Sequence, residues 1–229
     1  MKLAFKLTRA HEVEAERPPR RQAARLILLT TIVLWLSAVS VGLSIVWGYE
    51  NTPGVSAKPP VVWPAESRIQ RARDRATLVL IAHPHCPCTR ATVGELAALM
   101  AHAQGRLNAY VLFLKPAGFS DDWERTDLWQ SAASIPGVSV MVDDDGAEAR
   151  RFNSSTSGQT ILYDAEGRLL FSGGITASRG HSGDNAGRSA IVSLVNEGAA
   201  DRAETLVFGC PLFDKSSECL ESEKGNHEH

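Results

Sequence analysis

From Leu26 to Trp47 the chain runs 22 residues without a charged side chain. At about 1.5 Å per residue, a helix of that length crosses the roughly 30 Å hydrocarbon core of a bilayer. A core helix of a soluble protein would carry a polar stripe, and here only Thr and Ser supply polar side-chain atoms. The run exceeds the apolar stretch of about 7 to 15 residues of a secretory signal, and the sequence VWGYENTPG after it has no Ala-x-Ala cleavage site. The segment therefore reads as a retained transmembrane anchor, with the lipid bilayer as the first partner. Lys2, Lys6, Arg9, Arg17, Arg20, Arg21 and Arg25 precede it, and the first charge after it is Glu50. The positive-inside rule then leaves the N-terminus in the cytoplasm and the bulk of the chain outside, with Trp47 and Tyr49 at the outer interface.

The remaining length suits one ordinary domain of about 150 residues. With 24 basic and 26 acidic residues the formal net charge is -2, so no overall field recruits nucleic acid. The organisation expected is a basic cytoplasmic segment (1–25), the span (26–47), an extended linker (48–70) carrying Pro53, Pro59, Pro60 and Pro64, a folded domain (71–214) and a polar tail (215–229).

Within the domain, Ala76–Ala82 (ATLVLIA) and Leu107–Leu114 are short continuous apolar runs of the kind buried on both sheet faces. Val93, Leu96, Ala97, Met100 and Ala103 recur at helical spacing, with Thr92 and Glu95 as a capping box. A helix over Asp121–Ser134 and a strand over Val138–Val142 follow, so the order predicts parallel βαβ units. Thr160–Tyr163 and Leu169–Ser172 flank Asp164-Ala165-Glu166-Gly167-Arg168 as a hairpin, which makes the sheet mixed. A closing helix presents Ile191, Val192, Leu194 and Val195, capped by Asp184 or Asn185. Asp143-Asp144-Asp145-Gly146 lacks the first ligand position of a calcium loop, which Met141 fills, and reads as a helix cap before Ala147–Phe152. The fold class expected is α/β, a mixed central sheet flanked by helices.

The chemistry concentrates in His83-Pro84-His85-Cys86-Pro87-Cys88-Thr89-Arg90, at the turn from the first strand into the first helix of the domain. Free N–H groups and the dipole at a helix start stabilise a thiolate, which makes a cysteine nucleophilic. Four cysteines form two close pairs, Cys86 with Cys88 and Cys210 with Cys219. The second pair would close a loop of about ten residues, worth roughly 2 to 3 kcal/mol as a structural disulfide. It could instead exchange with Cys86.

This order of elements resembles the thioredoxin fold. The soluble part is most similar to the RedB family of thioredoxin-like bacterial proteins, through HPHCPCTRAT, TSGQTILYDAEGRLLFSGGIT, SRGHSGDNAGR and VFGCPLFD. The resemblance spans about Thr77 to Asp214 and implies a redox theme, with the domain on the periplasmic side of the bacterial inner membrane. It also implies that the loop Gly173–Arg188 returns toward the cysteine turn, which makes Arg179 and His181 candidate catalytic groups, His181 as a proton shuttle. Asp184 either joins them or caps the last helix. Two departures from thioredoxin stand out: a single residue separates the cysteines, and Gly158-Gln159 occupies the place of the usual cis-proline. Cys88-Thr89-Arg90 also looks like the cysteine turn of some peroxiredoxins.

The leading expectation is a membrane-anchored extracytoplasmic thiol-disulfide oxidoreductase without a cofactor. Cys86 attacks a client disulfide, Cys88 resolves the mixed disulfide and Arg90 or the helix dipole lowers the attacking pKa. Its partners are client protein thiols or disulfides and a membrane or extracytoplasmic redox protein. Two alternatives stand beside it: a copper- or zinc-binding protein using His83, His85, Cys86 and Cys88, and a non-enzymatic module docking partners through the Arg179–Arg188 loop.

Overall fold

The computed structural model describes residues 20–56, 58–103 and 105–213. It divides into the apolar helix up to Val46 and a compact unit from Trp47 onward. Helix α1, Arg20–Asn51, has 32 residues and is long and apolar enough to cross a membrane.

Strand β1, Ala76–Ala82, forms the centre of the domain. It is joined by β2 (Leu107–Lys115), β3 (Val138–Asp144), β4 (Thr160–Tyr163) and β5 (Leu169–Gly173) in the order β3-β2-β1-β4-β5. The β1–β2 and β2–β3 pairs are parallel, and the β1–β4 and β4–β5 pairs are antiparallel. Parallel neighbours need long crossovers, supplied by α2 (Pro87–Ala103) and α3 (Asp127–Ala133). After α4 (Ala147–Arg151) the chain enters the β4–β5 hairpin, and α5 (Ala186–Glu197) follows. The side-chain alternation of β1 explains its unbroken apolar run. Leu78, Leu80 and Ala82 pack with Leu96, Leu99, Leu128 and Ile191 on one face, whereas Val79 and Ile81 pack with Phe152, Tyr163, Ile69 and Leu212 on the other.

The hairpin turn is held by the Asp164 carboxylate, which accepts from the N–H groups of Glu166 (3.0 Å) and Arg168 (2.7 Å). The Asp143 run caps as expected: the buried Asp143 carboxylate accepts from the first N–H groups of α4, Glu148 at 2.7 Å and Ala149 at 2.9 Å. Asn185 is the cap of α5 and accepts from Arg188 N–H.

Three expectations are corrected. Helix α2 begins at Pro87, which needs no N–H partner at a first helical position. Thr92 and Glu95 therefore lie inside the helix and form no capping box. Thr92 bonds back to the Cys88 carbonyl, and the buried Glu95 accepts from Gly183 N–H (2.7 Å) and Asn185 (3.0 Å) and pairs with Arg188. Residues 121–126, expected as the start of this helix, are turns and bends, because tertiary contacts hold them elsewhere: the Thr126 hydroxyl donates to Pro84 O at 3.3 Å, and the Trp123 ring lies tilted against His85. Of the segment expected as a linker, 48–51 end helix α1, and the proline-bearing part from Thr52 on has no helix or strand among its described residues but is bound to the domain rather than spaced from it. Gly54 N–H donates to Val207 O at 2.8 Å, Leu169 N–H to Val61 O at 2.9 Å, and Tyr163 hydroxyl to Pro60 O at 2.8 Å, while Trp63 meets Phe152 and Tyr163 edge-on.

Candidate active site

The turn from β1 to α2 is fixed by short-range bonds before any chemistry is considered. Cys86 N–H donates to His83 O at 3.2 Å and Thr89 N–H to Cys86 O at 3.0 Å. The buried Thr89 hydroxyl lies 3.1 Å from His83 O and 3.0 Å from the Ser157 hydroxyl, which in turn accepts from His83 N–H at 2.9 Å. The cysteine turn and the loop before β4 are thereby tied together. That loop contains Gly158 with φ +90°, and no cis peptide bond occurs among the described residues.

Against this turn lies a third cysteine. Cys210 Sγ is 2.8 Å from Cys86 Sγ, inside van der Waals separation, and Cys86, Cys88 and Cys210 are all free thiols. Cys210 belongs to a segment held on both sides. Ser157 N–H donates to Cys210 O at 2.8 Å, Leu212 N–H to Ser155 O at 2.9 Å, and Thr156 and Pro211 form an antiparallel bridge. Gly209 has no room for a side chain, since a Cβ there would collide with the Ser157 carbonyl oxygen. Arg179 adds a clamp: its guanidinium donates to Gly209 O and to Thr52 O (3.1 Å) and lies over the Tyr49 ring.

The three thiols differ in acidity. Cys86 is held down to about 5, first because the Cys210 thiol donates to its thiolate, and then through the N–H groups of Cys210, Cys88 and Thr89, with burial opposing. Cys88 is pushed up by burial and by the neighbouring Cys86 thiolate, against the charge of Arg179. Cys210 is pushed up, chiefly because it retains the proton it donates to Cys86. One proton is shared and the negative charge rests on Cys86. Burial lowers the pKa of His83 although the Cys86 charge pulls the other way, and its Nδ1 accepts from His85 N–H at 3.2 Å.

The residues singled out from sequence fall into two groups. Cys86, Cys88 and Arg179 come together, with Arg179 acting on Cys88 and Cys210. Arg90 does not join them: it is exposed and pairs with Asp127 at 2.5 Å, and it is not among the main groups that lower Cys86. His181 is exposed, and among the described residues no hydrogen bond links its ring to a cysteine. Asp184 pairs with Arg188 at 3.1 Å. The proposed ligand set of His83, His85, Cys86 and Cys88 does not converge. His85 Nε2 lies 3.0 Å from Trp123 O with its ring against Trp123, and no group of three His, Cys, Asp or Glu among the described residues is arranged to hold a metal. Cys219 lies outside the described residues, so the suggested Cys210–Cys219 bridge is not addressed, but the described neighbour of Cys210 is Cys86. Ser157 and Thr89 are site residues that sequence reasoning missed, whereas His83, expected only as a metal ligand of the alternative reading, lies beside the Cys86 charge.

No family model and no curated protein matches the chain. Among solved structures, a hypothetical protein from Sinorhizobium meliloti 1021 is similar at 18% identity, covering 70% of this chain and 93% of that one with a TM-score of 0.52. An uncharacterized conserved protein from Geobacillus kaustophilus is similar at 16% identity, covering 72% and 93%, with a TM-score of 0.52. The exposed lipoprotein thioredoxin of Streptococcus pneumoniae strain TIGR4 aligns at 15% identity over 55% of this chain and 86% of that one, with a TM-score of 0.39. With its strand order β3-β2-β1-β4-β5, parallel β1–β2 crossover through α2 and terminal antiparallel hairpin, the domain has a thioredoxin-like fold.

Proposed function

We propose that the chain is a thiol-disulfide oxidoreductase, anchored by its N-terminal helix in the bacterial inner membrane with the domain on the extracytoplasmic face, of the RedB-like type. The observation that carries this reading is the Cys86 thiol: it sits at the start of α2, is held near 5, and has two further thiols beside it. A cysteine in a purely structural or inert position has no such acidity. The basic residues before Leu26 and the absence of any charge from there to Glu50 support the orientation.

Cys86, ionised at neutral pH, attacks one sulfur of a client disulfide and expels the other as a thiolate. A neighbouring thiol of the same site, Cys88 or Cys210, then attacks Cys86 and releases the client reduced. The reverse sequence oxidises a client dithiol. The full chain in detergent micelles is assayed for exchange with oxidised glutathione. Cys86→Ser abolishes exchange, and undiminished exchange in that variant overturns the reading.

A further inference from the structure

We infer that Cys210 is the resolving cysteine, and that the disulfide of the oxidised protein is Cys86–Cys210 with Cys88 left as a thiol. This deepens the oxidoreductase reading and rests on it. The two sulfurs are 2.8 Å apart although 124 positions separate them in sequence, so the fold, and not the motif, brings them together. The partner is not a loose tail. Ser157 N–H on Cys210 O, Leu212 N–H on Ser155 O and Gly54 N–H on Val207 O fasten the backbone on both sides of Cys210. Val207, Phe208 and Leu212 are buried, and the Arg179 guanidinium holds Gly209 O immediately before the cysteine. A thiol fixed this closely attacks intramolecularly at high effective concentration. Cys88, by contrast, is separated from Cys86 by Pro87 alone and lies within the first turn of α2, and bridging them closes a small ring that departs from the geometry disulfides prefer.

The chemistry balances without a further reagent. The Cys86 thiolate attacks the client disulfide, one client sulfur leaves as a thiolate, and Cys86 is joined to the other. Cys210 gives up its proton to the departing thiolate and attacks Cys86 Sγ. The mixed disulfide breaks, the second client sulfur leaves reduced, and the two electrons lost by Cys86 and Cys210 are those gained by the client.

The test maps disulfides in the full chain in detergent micelles after oxidation with oxidised glutathione, alkylation and non-reducing tryptic digestion. Cys86 and Cys88 share the peptide 76–90, Cys210 lies in 203–215 and Cys219 in 216–224. The expected product is 76–90 linked to 203–215 with one alkylated cysteine in 76–90, and the same link in Cys88→Ser. Cys210→Ser should instead stall with one glutathione on 76–90. An internal bridge within 76–90 with Cys210 alkylated, a link from 203–215 to 216–224, or loss of the link in Cys88→Ser overturns the inference. If Cys86→Ser is inert but Cys210→Ser turns over like the parent, only this inference falls; if Cys86→Ser still exchanges, the oxidoreductase reading falls with it.

Discussion

Replacing Cys210 with Ala removes the thiol that most depresses the pKa of Cys86, and the consequence is a crossover in rate rather than a simple loss. Cys86 is held at about 5 against an ordinary 9.0. Full return to 9.0 sets the limit. At pH 6 the ionised fraction would fall from about nine tenths to about a thousandth. Each thiolate would become roughly 60-fold more nucleophilic, because nucleophilicity rises with pKa at a Brønsted slope of about 0.45. The net attack on a disulfide would then be about 15-fold slower at pH 6 and about 45-fold faster at pH 9.5, with the two profiles crossing near pH 7. The N–H groups of Cys88, Thr89 and residue 210 remain in the variant, so the measured shifts lie inside these limits in the same directions. The assay is the loss of alkylatable Cys86 under excess oxidised glutathione from pH 5 to 10. Superimposable profiles for parent and Cys210→Ala would refute the reasoning, and would assign the acidity to the helix start alone.

Four further outcomes are expected. Gly209→Ala drives a Cβ into the Ser157 carbonyl, so chemical denaturation should show a loss of about 1 to 3 kcal/mol, together with slower closure of the Cys86–Cys210 bridge by quenched alkylation. Arg179→Gln removes both the clamp on Gly209 O and the charge that restrains the pKa values of Cys88 and Cys210; closure at pH 7 should slow and recover in part as pH rises, read by the same quench. Glu95→Ala leaves the largely buried Arg188 with only the exposed Asp184 as an ion-pair partner among the described residues and removes the acceptor of Gly183 N–H and Asn185, costing about 3 kcal/mol in denaturant while the titration of Cys86 is unmoved. Burial lowers His83 below its ordinary 6.5, so the unfolded state binds this proton more readily. Stability should therefore fall as pH drops through 6.5, and urea melts at pH 7.5 and 5.5 should differ less in His83→Gln than in the parent.

The sheet was largely legible because its signals are local. The unbroken apolar runs of β1 and β2 announce strands covered on both faces, and Asp164 with Gly167 announces the hairpin. The cysteine turn was legible for the same reason, since a strand, a Pro-flanked cysteine and a helix follow each other directly. What was not legible depends on contacts far apart in sequence. Nothing near Cys210 says that it meets Cys86; its nearest cysteine by number is Cys219, and proximity in sequence points there. Arg90, adjacent to the motif, is drawn off by Asp127, whereas Arg179, remote from it, reaches the thiols. The prolines from Pro53 to Pro64 keep this stretch out of helix and strand, but they leave carbonyls free, and donors of the domain use them. The Thr92 and Glu95 pattern places the helix start six residues too late, because Pro87 already begins the helix.

The most direct test of the account is a redox titration of the full chain in detergent micelles, equilibrated across glutathione buffers of graded potential and read by alkylation and mass spectrometry. The account predicts one reversible two-electron transition that includes Cys86 and disappears in Cys86→Ser. Thiols that stay reduced across the whole range, or a transition that persists without Cys86, would contradict it.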